Sequence, residues 1–192
     1  MNFRQRNSAD FVNQIGTYWR ESRTGFSCIL VALLVGLLPI SADSPDATLL
    51  KVGQLVPALE IRTVDGATIS TKEMHGKLLL LNFFATWCPP CLAELPELDK
   101  KVWKRFGDKG LVLVAIGREH STQEISEFKQ KKQLDMPMAA DPKREIYGTF
   151  ARSFIPRNFL IGRDGKVIFE SQGFEKSDFQ KMISLIDAEL KK

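Results

Sequence analysis

The feature that most constrains the fold of this chain is a short apolar run that leads into a pair of cysteines. Residues 78–84 are Leu-Leu-Leu-Leu-Asn-Phe-Phe, and a Cys-Pro-Pro-Cys motif occupies Cys88–Cys91. A predominantly apolar run of this length is typical of a strand buried on both faces of a sheet. After the motif, apolar residues recur every three or four positions up to Phe106, which predicts a helix over Pro89–Phe106. The cysteines are therefore predicted where a buried strand passes into a helix.

The remaining patterns predict an α/β domain. Asp-Gly signals at residues 65–66 and 164–165 each separate two short apolar segments, which is typical of β-hairpins. Ser121 and Glu124 have the spacing of a capping box. The other predicted elements are a hairpin over Leu59–Ser70, a strand at Leu111–Gly117, helices at Ser121–Lys132 and Arg144–Arg152, a hairpin of Asn158–Ile161 with Lys166–Ser171, and a helix at Ser177–Leu190. This order predicts a mixed central sheet flanked by helices.

The first 42 residues are predicted to be a targeting segment. Residues 24–42 carry no charge, their apolar core runs over residues 26–40, and four arginines precede them. A basic flank followed by an apolar stretch is typical of an export signal or a membrane anchor. We therefore divide the chain into a basic cytoplasmic region (1–25), a cleaved signal peptide or single membrane anchor (26–42), a linker (43–51) and a domain (52–192). Whether residues 26–42 are a cleaved signal peptide or a membrane anchor, the domain is expected outside the cytoplasm, in the periplasm or cell envelope. A buried core helix is the third interpretation of this segment.

Charge and cysteine content exclude several classes of protein. The chain has 27 basic and 23 acidic residues, and residues 43–192 hold 23 and 21 of them. The predicted domain is therefore close to neutral, and no nucleic-acid partner is expected. Three cysteines are too few for a disulfide-stapled scaffold. Only two histidines accompany the cysteine pair, which disfavours a four-ligand zinc site.

Reversible redox chemistry explains the cysteine pair best. A four-residue loop restricts the unfolded chain little, so a disulfide across it adds little stability. The dipole and free N–H groups at a helix N-terminus favour a Cys88 thiolate, and Cys91, one turn further, is placed to attack a mixed disulfide on Cys88. A structural disulfide, a metal half-site and two unreactive buried thiols are the alternatives. No cofactor is expected beyond the Cys88–Cys91 disulfide itself.

The prolines of the motif predict the direction of the reaction. Pro89 and Pro90 have no N–H group, so the sulfur of Cys88 keeps mainly the backbone donor of Cys91. A less stabilised thiolate implies a less oxidising disulfide. We therefore expect a reductant rather than a strong oxidant.

The motif and its flanks resemble one family. Residues 82–96, Asn-Phe-Phe-Ala-Thr-Trp-Cys-Pro-Pro-Cys-Leu-Ala-Glu-Leu-Pro, are similar to the active-site segment of the thioredoxin superfamily, and within it of the extracytoplasmic TlpA/ResA-type thiol–disulfide oxidoreductases. The resemblance covers residues 50–190 and implies a thioredoxin fold with an added N-terminal β-hairpin and a central insertion. It also implies disulfide-bearing exported proteins as clients, with apocytochrome c maturation as one client pathway, and a membrane thiol-transfer protein as electron donor.

The resemblance implies roles for individual residues. Pro156 matches the family's cis-proline beside the dithiol, and the backbone of Ile155 is expected to pair with a bound client peptide. Glu94 matches the family's active-site glutamate, and we expect it to manage the Cys91 proton with a raised pKa; the alternative is a solvated residue of the first helical turn. Trp87 is expected to shield the disulfide and contact the client, or else to be a core aromatic.

Other positions have less definite expectations. Arg157 and Asn158 follow the cis-proline, where many relatives have small hydroxyl residues. Arg157 is expected either to place a cation beside the dithiol and contact acidic clients, or to point into solvent. His120 is interpreted as a loop residue.

Two other functions stay open. A thiol peroxidase requires the pattern Pro-x-x-x-Thr-x-x-Cys, which fails because Ala85 and Cys88 occupy the threonine positions for the two cysteines; a peroxide-consumption assay tests it. A copper-binding chaperone of thioredoxin fold uses Cys-x-x-x-Cys with a distal histidine, whereas the spacing here is Cys-x-x-Cys. A copper titration with and without His120 tests that alternative.

Overall fold

The computed structural model of the protein describes residues 47–192. The predicted basic region, the signal or anchor at 26–42 and the first residues of the linker lie outside the described residues. Within residues 47–192, no helix is both long enough and apolar enough to cross a membrane.

A five-stranded mixed sheet forms the centre of the domain. Its strands are β3 (Leu78–Phe84), β4 (Leu111–Arg118), β5 (Met138–Asp141), β6 (Arg157–Ile161) and β7 (Val167–Gln172), after a separate antiparallel hairpin of β1 (Glu60–Arg62) and β2 (Thr68–Ser70). The strand order in the sheet is β5-β4-β3-β6-β7. The first three strands of that order run parallel, while β6 and β7 pair antiparallel. The predicted mixed sheet and the added hairpin are confirmed.

Helices cover both faces of this sheet. They are α1 (Pro89–Leu98), α2 (Lys104–Phe106), α3 (Thr122–Lys132), α4 (Tyr147–Phe150) and α5 (Lys176–Leu190), with 3₁₀ turns at Thr71–Met74 and Gly107–Lys109 and a π-helical turn at Asp99–Trp103. The predicted capping box opens α3, since the Ser121 hydroxyl accepts the Glu124 N–H and the Glu124 carboxylate accepts the Ser121 N–H. That reciprocal pair satisfies two of the N–H groups that a helix start leaves without partners.

The central strand β3 separates two apolar cores. Successive side chains of a strand point to opposite faces. Leu78 and Leu80 accordingly lie in the core formed with α1, α3 and α5, whereas Leu79 and Leu81 lie in a second core with α4 and the β1–β2 hairpin. All four leucines are fully buried. The apolar run is therefore a strand covered on both faces, as predicted, and its carboxyl end delivers the chain to the cysteine motif.

The middle of the chain differs from the prediction. Strand β5 was absent from the predicted elements, because four residues are too few for a periodicity signal and their pairing depends on β4. The predicted helix over Pro89–Phe106 contains the π-helical turn, which follows Pro96, a residue inside α1 that has no N–H group to donate. Helix α3 connects the parallel strands β4 and β5. This helix and strand β5 correspond to the central insertion that the family resemblance implies.

Candidate active site

The Cys88–Cys91 pair lies where the chain passes from β3 into α1. The two residues form a disulfide, and their Cα atoms are 5.3 Å apart. Cys88 is the N-cap of α1, and its sulfur accepts the N–H of Cys91 at 3.3 Å. Because Pro89 and Pro90 fill the first helical positions, the donor set at the Cys88 sulfur is the sparse one that the sequence predicts. Cys88 is 4% exposed and Cys91 is 0% exposed, so Cys88 is the more accessible of the two.

The loop that precedes β6 packs beside this disulfide. The Ile155–Pro156 peptide bond is cis, and Pro156 is buried. The carbonyl oxygen of Ile155 lies 3.8 Å from Sγ of Cys88. Phe154 has a left-handed backbone with φ of 70°, and its carbonyl oxygen accepts the Tyr147 hydroxyl at 2.6 Å. The structure therefore brings the predicted cis-proline and the Ile155 backbone to the dithiol.

Glu94 lies on α1, three residues after Cys91, and both side chains are buried. Residues three apart on a helix share one face. The Glu94 side chain is 1% exposed, so the solvated alternative is wrong. Its Oε2 accepts Nδ2 of Asn82 at 2.9 Å, and its Oε1 accepts Nδ2 of Asn158 at 2.7 Å. Burial raises the pKa of Glu94 to about 7, and the two amide hydrogen bonds oppose that rise by favouring the charged form.

The two asparagines form part of the site that sequence reasoning left without a role. Asn82 on β3 and Asn158 on β6 are directly paired across the antiparallel ladder. Nδ2 of Asn82 also donates to Oδ1 of Asn158 at 3.0 Å, so the three side chains form a closed triangle. Asn82 was the signal in the sequence that could have predicted this cluster. It is a polar residue inside an otherwise apolar strand, and its side chain is buried, so it needs a buried hydrogen-bond partner.

Trp87 forms an exposed border of the site. Its side chain is 60% exposed, so the core-aromatic alternative is wrong. The guanidinium carbon of Arg118 lies 5.7 Å from the centre of the indole ring, within the range of a cation–π contact. Phe154, next to Ile155, is also exposed, so large aromatic side chains lie beside both chain segments that meet at the disulfide.

The expectations that Arg157 points into solvent or contacts an acidic client are wrong. Its side chain is 0% exposed, and it donates from Nε to the Ser153 carbonyl at 3.0 Å, from Nη1 to Oγ1 of Thr48 at 2.7 Å and from Nη2 to Oε1 of Gln172 at 2.9 Å. Because neighbouring strand residues point to opposite faces, Asn158 faces Glu94 and Arg157 faces away from it. The guanidinium therefore neither points into solvent nor is free to contact an acidic client, and instead ties the cis-proline loop to Thr48 and β7.

His120 is a buried loop residue, and it supports the segment before the motif. Its Nε2 accepts the backbone N–H of Thr86 at 3.1 Å, and its Nδ1 lies 3.8 Å from Oε1 of Glu124. The ring therefore links the end of β4 to the residues that lead into Cys88. Among residues 47–192, no group of three or more His, Cys, Asp or Glu side chains is arranged to hold a metal ion.

Comparison with known proteins places this geometry in a family. Residues 52–170 match the AhpC/TSA family. The thiol–disulfide oxidoreductase ResA of Bacillus cereus is 32% identical over 157 residues, which cover 80% of this chain and 90% of that protein. The solution structure of a Bacteroides thetaiotaomicron protein provisionally assigned as a protein disulfide isomerase covers 76% of this chain and 94% of its own, with a TM-score of 0.73 and 26% identity. StoA of Bacillus subtilis covers 68% of this chain and 99% of its own, with a TM-score of 0.56 and 25% identity.

The sequence match, the fold and the dithiol at the helix N-terminus agree with one another. The matched segment spans most of the described domain and contains the Cys88–Cys91 disulfide, the paired strands behind it and the cis-proline loop beside it. The chain therefore belongs to the AhpC/TSA family, has the thioredoxin fold, and is a thiol–disulfide oxidoreductase of the ResA type.

Proposed function

We propose that this oxidoreductase acts outside the cytoplasm as a reductase of disulfides in exported proteins. The observation that carries the proposal is the Cys88–Cys91 disulfide at the N-terminus of α1, with one backbone N–H donated to the accessible sulfur. Pro89 and Pro90 occupy the positions where other residues would supply further donors. This sparse set stabilises the reduced form less than a full set of donors would, which suits a protein that gives electrons away.

The first step is attack of the reduced Cys88 on a client disulfide. The Cys88 thiolate forms a bond to one client sulfur, and the other client sulfur leaves as a thiolate. Cys88 takes this role because its side chain retains some exposure while that of Cys91 has none. The backbone of Ile155 and the exposed ring of Trp87 lie where a client segment would approach, and we assign them to client binding.

The second step releases the client. The Cys91 thiol gives its proton to the Glu94 carboxylate, and the resulting thiolate attacks Sγ of Cys88, so the mixed disulfide breaks and the second client sulfur leaves as a thiolate. The client gains two electrons, and the protein is left with the Cys88–Cys91 disulfide. With a pKa of about 7, Glu94 exists in both protonation states near neutral pH and can accept and return this proton.

The reduction potential of the Cys88–Cys91 pair tests the direction of the reaction. The protein is equilibrated in dithiothreitol or glutathione buffers of graded potential, and the reduced fraction is measured by thiol labelling. A value well below about −180 mV supports the reductase assignment, because disulfide-forming oxidants lie at roughly −180 to −120 mV. A value near −120 mV refutes it and assigns disulfide formation instead.

A trapping experiment tests the order of the two steps. The Cys91→Ser variant retains the attacking cysteine and loses the resolving one, so it should accumulate a mixed disulfide with a client that the parent chain releases. The Cys88→Ser/Cys91→Ser variant is the matched control, since it lacks both active-site thiols and reports any background capture, including that of the third cysteine, Cys28, if residues 26–42 are retained. Capture by Cys88→Ser and not by Cys91→Ser would reverse the assigned roles.

Location, electron supply and client identity complete the proposal. The apolar segment at residues 26–42 supports an envelope location for the domain, and a reductase in an oxidising compartment needs electrons from a membrane thiol-transfer protein. Labelling of the reduced protein in intact cells with a membrane-impermeant maleimide tests the location. For the client, we propose exported proteins whose cysteines must be reduced before a cofactor is attached, apocytochrome c among them; trapping with Cys91→Ser identifies it.

A further inference from the structure

The structure contains a buried polar triangle behind the disulfide. Asn82, Glu94 and Asn158 are all at most 1% exposed. Glu94 accepts one amide hydrogen bond on each carboxyl oxygen, at 2.9 Å from Asn82 and 2.7 Å from Asn158, and the two amides are joined at 3.0 Å. Burial of polar atoms in an apolar core is costly unless they are paired, and within residues 47–192 every side-chain N and O atom of the triangle has a hydrogen-bond partner except Oδ1 of Asn82.

We propose that Asn158 is a positioning residue that holds the Glu94 carboxyl group on the helix face it shares with Cys91 and links it to the cis-proline loop. This inference rests on the proposed function, because the value of a positioned Glu94 lies in its exchange of a proton with Cys91. The side chain of Asn158 is hydrogen-bonded to Asn82, Glu94 and Ser171. Its effect on the proton of Cys91 is therefore exerted through Glu94.

The hydrogen bonds allow one orientation of the Asn158 amide. Its Nδ2 donates to Oε1 of Glu94 at 2.7 Å and to Oγ of Ser171 at 3.3 Å, while its Oδ1 accepts from Asn82. A rotation that exchanges Oδ1 and Nδ2 would place an amide oxygen against the carboxylate and an amide nitrogen against the Asn82 donor. The triangle therefore presents N–H groups, and not oxygen atoms, to Glu94.

The position of Asn158 in the chain connects this triangle to client binding. Asn158 is two residues after the cis-proline Pro156, whose preceding carbonyl lies beside Cys88. The intervening Arg157 is anchored on the opposite face, where it donates to the Ser153 carbonyl of the same loop. A client that pairs with the backbone of this loop therefore contacts the same segment that carries Asn158, and the Asn158 side chain holds Glu94.

The triangle sets the proton affinity of Glu94 through two opposing effects. Burial favours the neutral acid, and the amide donors favour the carboxylate, with Asn158 the larger of the two amide contributions. Among residues 47–192, no salt bridge reaches Glu94, and its titratable neighbour Cys91 cannot ionise while it is in the disulfide. Loss of the Asn158 donor should therefore raise the Glu94 pKa further.

The test measures Glu94 directly in the oxidised full-length chain. The protonated carboxyl band is followed by infrared spectroscopy across a pH titration and is assigned by its loss in Glu94→Gln. The parent should titrate near pH 7. Asn158→Leu, which has a similar volume and no donor, should raise the midpoint by about one pH unit, a tenfold change in proton affinity, as expected for loss of one hydrogen bond to a charged group. Asn158→Ser, too short to reach Glu94, provides a second variant with the same expected direction if the leucine variant does not fold.

A matched control separates positioning from stability. Thr71→Val removes two hydrogen bonds in the hairpin region: Oγ1 of Thr71 donates to the backbone carbonyl of Pro57 and accepts the backbone N–H of Leu59. It should lower the unfolding midpoint and leave the Glu94 titration unchanged. A variant at Asn158 that loses stability like the control, with the carboxyl midpoint unmoved, would show a merely structural role and overturn the proposal. Because the titration requires no turnover, failure of the parent to reduce disulfides would refute the proposed function separately.

Discussion

The buried Glu94 carboxyl group predicts that this domain loses stability as the pH rises through the neutral range. In the unfolded chain the reference pKa is 4.5, whereas in the folded protein it is about 7. Between these values the folded state binds a proton that the unfolded state has released. Stability from this group is therefore fully present below pH 4.5, declines as the pH rises, and reaches its lower plateau above pH 7.

The size of the effect follows from the shift in pKa. Integration of proton linkage between pH 5 and pH 8, with the two values above, gives a loss of about 2.5 kcal/mol in the free energy of unfolding. That is a large fraction of the stability of an ordinary domain. The Glu94→Gln variant has no ionisable group at this position, so its stability should lack this component of the pH dependence.

Urea unfolding of the oxidised protein at pH 5 and pH 8 measures the difference. The parent should lose about 2.5 kcal/mol more than Glu94→Gln between the two pH values. The quantity to compare is the change in the free energy of unfolding between pH 5 and pH 8, and not its value at either pH. The reason is that the glutamine NH₂ would face an asparagine NH₂ and lower the stability of the variant at every pH. Equal losses in the two proteins would refute the raised pKa and, with it, the assignment of Glu94 as a proton acceptor near neutral pH.

Two further predictions concern packing and hydrogen bonding in the interior of the domain. Gly117→Ala should destabilise the domain by about 1–3 kcal/mol in urea unfolding, because a methyl group there would overlap the buried side chain of Ile125, whereas Gly148→Ala, which faces open space, should not destabilise it. Asp99→Ala should cost about 3 kcal/mol, because the buried carboxylate accepts two backbone N–H groups, including that of Met136 at 2.8 Å. Asp99→Asn retains one acceptor and should recover part of the loss, so an equal effect of both variants would contradict this explanation.

Local patterns were sufficient to predict most of the fold. The Leu78–Phe84 run, the helical spacing after the cysteines and the capping box at Ser121 each depend on residues close together in the chain. The strand and the capping box appear at the predicted positions, whereas the predicted helix over Pro89–Phe106 is divided by a π-helical turn after Leu98. β5 depends instead on a partner strand, and its four residues carry no periodicity of their own. Elements of that kind are decided by tertiary pairing.

The candidate site divides in the same way. The sequence alone determined the dithiol, because two cysteines at a strand-to-helix junction, followed by Pro89 and Pro90, define the cap of a helix and the donors around one sulfur through local geometry. The environments of Glu94, Asn158 and Arg157 depended on the tertiary fold. Glu94 is 64 residues from Asn158 in sequence, and only the pairing of β3 with β6 beneath α1 brings the carboxyl group and both amides into one apolar core. Whether a charged residue is solvated, paired or neutralised depends on which surfaces meet around it, and that information is not contained in its neighbours along the chain.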